Sequence, residues 1–330
     1  MEKRRLQRTG GASLTVTLPK EWVKKQSLSG SQQVAMYAQS SGTLLIKPMP
    51  ISGTPSPAIL NFKNLTPEMG MREAVALFIA GVNEIEFRSA NLTQTQRSHI
   101  RSIADRLIGF EIIDESSDKV VIRNILDIAK LPIPDMVDKM FLLARSMLED
   151  AINAAIEGNA DTAQDIIGRD REIDKLHLVI TRQFHSLLAD RILEEELGLD
   201  RSAISYYRTA ALQLERIADH AVKIARTIVP SKSVNASTTK ALSPALTELF
   251  NIFSDVKTMS RTANQGLAHK VLNQGNDLED RLVRLRQQSR QNTALFVILL
   301  DSLDRTRGYL MNIAEATIDH ATVKTFQQKN

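Results

Sequence analysis

Leu214-Glu215-Arg216-Ile217-Ala218-Asp219-His220-Ala221-Val222-Lys223-Ile224-Ala225 is the stretch on which the fold turns. Apolar residues at Leu214, Ile217, Ala221 and Ile224 recur every three or four positions, the period of a helix with one buried face. Glu215 and Asp219 stand four residues apart, so both carboxylates share one side of that helix. An echo follows at Leu303-Asp304-Arg305-Thr306-Arg307-Gly308-Tyr309, with Ile313-Ala314 in the register of Ile224-Ala225. A second motif repeats likewise. Gly168-Arg-Asp170-Arg-Glu-Ile-Asp174 is answered by Gln274-Gly-Asn276-Asp-Leu-Glu-Asp280. Two motifs recurring in the same order mark an internal duplication.

Outward from these motifs, residues 133–330 read as helical throughout, with breaks near Gly158-Asn159, Gly198, Val229–Ser243, Gln265-Gly266 and Ser289–Asn292. Six helices separated by short turns predict bundles, divided here as 133–229 and 240–330. Residues 58–128 predict a small α/β domain. Thr66-Pro67 starts one helix, Thr93 and Gln96 form a capping box for a second, and 110–125 reads as a hairpin. Residues 1–48 predict short strands. Leu14, Val16 and Leu18 alternate with threonines, and Val34–Ala38 with Thr43–Lys47 flank a turn at Ser40-Ser41-Gly42. Pro48, Pro50, Gly53, Pro55 and Pro57 mark a linker.

The chain has 330 residues, 43% of them hydrophobic, and no cysteine. That excludes disulfides, thiolate metal sites and cysteine nucleophiles, and it fits a reducing, cytoplasmic setting. The longest unbroken apolar run, Ala294–Leu300, is far short of the roughly 20 residues of a membrane helix, so no membrane insertion is expected. No phosphate-cradling glycine loop, dinucleotide fingerprint or nucleophile elbow occurs, and the chain reads as a non-enzyme. Residues 1–48 hold eight basic residues against Glu2 and Glu21, a net charge of +6, leaving −2 for the rest. A basic cap on a slightly acidic body points to a polyanion partner.

Asp170/Asp174 and Glu215/Asp219 would offer hard oxygen ligands to a cation, with Asp170 beside Glu215 and Asp174 beside Asp219. Asp161/Asp165 and Glu196/Asp200 share the spacing and read as solvated surface, so recurrence in context singles out the first two pairs. The stretch 214–225 resembles the signature helix of the PhoU phosphate-signalling regulators, and the likeness extends over 133–330. It implies tandem three-helix bundles whose acidic pairs bind metal, with Asp170, Asp174, Glu215 and Asp219 as ligands to iron, zinc or magnesium. Asp280 and Asp304 are the weaker counterparts, since Asn276 and Gly308 replace their partners.

Arg8-Thr-Gly-Gly-Ala-Ser-Leu-Thr-Val-Thr-Leu-Pro-Lys-Glu-Trp22 resembles the AbrB/MazE (SpoVT-AbrB) swapped-hairpin modules, in which two chains complete one barrel that contacts DNA. By position Arg4, Arg5, Arg8, Ser13 and Lys20 become the DNA contacts, and the pairing of modules is of the archaeal type. The fold expected is therefore mainly α. Two tandem three-helix bundles follow a small α/β domain and an N-terminal β-barrel module. The function implied is a homodimeric, phosphate-responsive regulator of uptake or transcription, with a phosphate ABC transporter ATPase or a sensor kinase as partner. The rivals are a dimeric adaptor without DNA affinity and a metal-dependent hydrolase.

Overall fold

The structure is a computed structural model that describes residues 2–38, 42–49, 57–128, 131–189, 194, 198–228, 234–288 and 293–329. The expected turn at Ser40-Ser41, the linker residues 50–56 and the break at 289–292 lie outside the described residues. The chain divides into two compact units, Met1–Ser56 and Pro57–Asn330.

In the first unit, β1 (Gln7–Thr9) pairs antiparallel with β2 (Ser13–Thr15), and β3 (Gln33–Ala38) with β4 (Leu44–Met49). Helix α1 (Lys20–Lys25) starts after Pro19, which is its N-cap. The alternation at Leu14–Leu18 predicts one buried face, yet the strand ends at Thr15 and none of its residues is buried. Leu14 remains 62% exposed and Val16 43%. Two separate two-stranded ribbons cannot cover their own apolar sides, because an isolated hairpin has nothing to pack against.

The second unit begins with β5 (Ala58–Asn61), a strand without an obvious alternation in the sequence. A 3₁₀ turn (Phe62–Asn64), α2 (Pro67–Ile79), β6 (Glu84–Arg88), α3 (Gln94–Arg106), β7 (Phe110–Glu115) and β8 (Lys119–Asn124) follow. The sheet order is β5-β6-β8-β7, with β5 and β6 parallel and the remaining neighbours antiparallel. The Thr66 hydroxyl caps α2 by accepting from the Met69 amide, and Thr93 and Gln96 complete the capping box of α3. Ile85, Phe87, Val120 and Ile122 are buried in the core of this unit.

Helices α4 (Ile133–Glu157), α5 (Ala160–Ala189) and α6 (Arg201–Thr227) make the first bundle. Helices α7 (Ala236–Thr262), α8 (Gln265–Gln288) and α9 (Ala294–Lys329) make the second. The break expected over Val229–Ser243 is shorter than the sequence suggested. Asn235 caps α7 through the Thr238 amide, so the helix starts at Ala236 and carries Pro244 within its third turn. Gly275 gives α9 room to pack on α8, since a Cβ there would lie 2.1 Å from Met311 Sδ and would force that side chain to move.

Helix α6 is central, touching α4, α5 and α9. Ala210, Ala211, Ala218, Ala221 and Ala225 are buried among Leu214, Ile217 and Ile224, and small side chains let three neighbours approach one helix. Each buried Leu or Ile contributes about 1.5–3 kcal/mol. The strip left open carries Glu215, Asp219, Lys223 and Arg226.

The α/β unit is not a loose appendage. One continuous core runs from Leu60 to Ala314. Arg182, in the apolar face of α5, donates to the carbonyls of Phe78 (2.6 Å), Val82 (2.9 Å) and Gly81 (3.2 Å) and to Asn83 Oδ1 (2.6 Å). Its guanidinium also lies over the Phe78 ring, 4.9 Å from the centroid. Gln183 donates to the carbonyls of Ile128 and Leu131. One cation thus gathers the carbonyls at and just beyond the end of α2, where Phe78 also accepts from the Gly81 amide.

Candidate metal centre and nucleic-acid interface

Asp170 and Asp174 project from α5 toward Glu215 and Asp219 of α6, so the structure brings both acidic pairs into one electrostatic cluster. Burial pushes Asp170 up to about 6, with Asp174 and then Asp219 adding to the rise. Glu215 is pushed up to about 7, by burial first and then by Asp219, Asp174 and Asp170. Asp219 is raised by partial burial and by Asp174. Like charges gathered in a low-dielectric groove favour protonation or a bound cation.

The order within the cluster differs from the expected one. Asp170 feels Arg226, whereas His177, further along α5, feels Arg208 and Arg216. Ascending α5 therefore means descending α6, and the two helices are antiparallel. Asp170 accordingly feels Asp219 more than Glu215. Equal spacing in two motifs does not reveal the direction in which their helices run.

Asp170 Oδ1 is buried without a hydrogen-bond partner. That orphaned acceptor and the all-carboxylate donor set suit a hard or borderline cation. As the side chains stand, however, no three His, Asp or Glu residues among the described residues converge closely enough to hold one. Asp174 is engaged instead by a residue that sequence motifs did not single out. Arg106, the last residue of α3, donates to Asp174 Oδ2 at 2.6 Å. It comes from another element 68 positions away, so no local spacing signals it.

The second bundle resolves its residual charges differently. Arg307 donates through Nε to Asp304 Oδ1 at 2.9 Å and pairs with Glu279 Oε2 at 2.9 Å. Asp280 is exposed and outside that pair. A guanidinium thus sits between the acids of α8 and α9, while Asn276 and Gly308 withdraw two others. His220 faces away from the carboxylates. Its Nδ1 meets Ser302 Oγ of α9 at 3.1 Å, which makes it a contact between bundles.

On the N-terminal unit, Arg4, Arg5, Arg8, Ser13 and Lys20 are all exposed. Arg4 pairs with Glu2. Arg8 lies opposite Leu14 and Ser13 opposite Thr9 in the β1–β2 register. Cross-strand partners share a face and neighbours along a strand alternate, so Arg8 and Ser13 occupy opposite faces of one ribbon. A single flat contact with DNA does not engage both.

The family comparisons agree with this division. Residues 137–228 match the PhoU domain, and residues 7–53 match "Antidote-toxin recognition MazE, bacterial antitoxin". The chain is thus similar to the PhoU domain over part of its helical region, and to the MazE module near its start. Among solved structures, the phosphate transport system regulatory protein PhoU from Streptococcus pneumoniae is similar over 58% of this chain and 94% of its own, with 15% identity and a TM-score of 0.49. PhoU from Pseudomonas aeruginosa covers 58% of this chain and 96% of its own, with 16% identity and a TM-score of 0.41. No curated protein resembles the sequence closely enough to count as a match. None of the described helices is long and apolar enough to cross a membrane.

Proposed function

We propose that this protein is a phosphate-responsive regulator of phosphate uptake or transcription, acting by binding rather than catalysis. The observation that carries the reading is the match to the PhoU domain over 137–228, where α5 and α6 bring four carboxylates into one cluster. Asp170, Asp174, Glu215 and Asp219 would hold a divalent or ferric ion, which would relieve their mutual repulsion. The protein's own contribution is to keep Asp170 and Glu215 half-buried among like charges, with Asp170 Oδ1 lacking a hydrogen-bond partner. Partners on this reading are a phosphate ABC transporter ATPase or a sensor kinase in the cytoplasm.

The N-terminal module would bind DNA as part of a homodimer. Support comes from its +6 charge and from apolar strand faces that one chain leaves uncovered. A second chain would bury them and bring two basic termini together, giving salt-dependent attraction to phosphates. The rival is an adaptor that dimerises through the same hairpins without touching DNA.

Metal content of the purified protein tests the helical half. Wild type should retain metal, and a Glu215→Ala/Asp219→Ala double variant should lose it; equal content in both sinks the assigned site. Mobility shift at about 50 and 200 mM salt tests the other half. Specific binding that weakens with salt supports DNA recognition, and absence of any shift at low salt favours the adaptor.

A further inference from the structure

We propose that the cleft between α2 and α3 is a binding site for a small amphipathic anion, and that its ligand competes with Asp174 for Arg106. The cleft has a volume of about 560 Å³. Arg72, His99 and Arg106 enter it from two helices, while Met71, Val75 and Ile103 supply an apolar floor. The proposal goes beyond the regulator reading and does not rest on it.

Charge selects the ligand. Glu68 is the one carboxylate at the cleft, and it is already satisfied. Its own backbone amide and the Thr66 hydroxyl hold it below the usual carboxylate range, ahead of His99 and Arg72. Arg72, by contrast, makes no hydrogen bond or ion pair among the described residues. A cleft with an unpaired guanidinium and an imidazole over apolar side chains suits one oxyanion group on an apolar body.

Arg106 is shared between two sites. It lines the cleft, but its guanidinium reaches out to Asp174 at 2.6 Å. The Arg106 side chain is 45% exposed and that of Asp174 is 19%. An arginine this open can exchange partners without unfolding anything around it. An anion in the cleft would offer Arg106 a second acceptor beside Arg72. Whatever draws Arg106 inward removes the cation nearest Asp174, so the α/β unit would report its occupancy to the carboxylate cluster.

Titration calorimetry of the metal-free full-length protein with phenyl phosphate tests the idea, with inorganic phosphate and phenol as the two halves of the probe. Phenyl phosphate should bind saturably, and more tightly than either half. Arg72→Gln should weaken it by about fivefold, the scale of one exposed charge contact. Asp174→Asn, which lies outside the cleft, should tighten it about threefold by releasing Arg106, and Arg106→Gln should cancel that gain. A gain of affinity cannot come from a misfolded variant. The proposal is overturned by absence of saturable binding or by equal affinity for inorganic phosphate and phenyl phosphate. An Asp174→Asn protein that binds no more tightly than wild type overturns it as well.

Discussion

The two bundles descend from one repeated pattern but solve their charge problem in opposite ways. In the first, four carboxylates face one another across α5 and α6, and Asp170 and Glu215 are displaced to about 6 and 7. In the second, Asn276 and Gly308 have removed two acids, and Arg307 bridges Asp304 and Glu279. One bundle keeps carboxylates whose charges oppose one another, and in the other an arginine pairs with two acids. The first also bears the small α/β domain on its flank through Arg182. The same motif spacing can thus leave like charges opposed in one bundle and paired with a cation in the other.

The largest expected effect breaks that asymmetry at the flank. Arg182→Met removes this donor from the carbonyls at the end of α2, Phe78 among them, at a cost of about 3 kcal/mol. Chemical denaturation should register the loss, and hydrogen exchange should place it first in residues 57–128. A midpoint unchanged from wild type contradicts the structural role of this cation.

Next comes the self-neutralised bundle. The Arg307 side chain is only 12% exposed, whereas those of Asp304 and Glu279 are 40% and 49% exposed. Arg307→Met keeps most of the packing but unpairs both acids, for a loss of about 1–2 kcal/mol, between exposed and buried pairs. If thermal unfolding is unaffected, the bridge contributes no net stability and the contrast between the bundles loses its energetic basis.

The smallest effect carries a sign. Glu215 has a folded pKa of about 7, above its usual value near 4.5. The folded state therefore binds the extra proton, and its advantage is full at low pH and lost as pH rises through about 7. In metal-free protein, Glu215→Gln should accordingly raise stability at pH 8 and not at pH 5. Solvent screening of this half-buried side chain limits the gain to about 1 kcal/mol, or about 2–4 °C in melting temperature. Equal effects at both pH values would mean that the cluster does not strain the fold.

Much of this was legible before any coordinates. Thr66-Pro67 and Thr93 with Gln96 announced α2 and α3 because capping chemistry is local. The three-and-four spacing of residues such as Met140, Ala144, Met147 and Leu148 announced the helices because burial repeats with the helix turn. β5 is not legible in the sequence, since four residues without alternation carry no periodic signal. The expected buried face at Leu14–Leu18 is open in a single chain, because alternation reports an amphipathic strand and not what covers it.

The sequence by itself determined the helices, their duplication and the four acids of the first bundle, all properties set by residue type and spacing along one chain. Only the tertiary structure decided the rest. It runs α5 against α6 so that Asp170 feels Asp219, carries Arg106 to Asp174 from 68 residues away, and brings Arg182 to the end of α2. A counter-ion is chosen by distance in space, and distance in space is what a linear pattern does not contain.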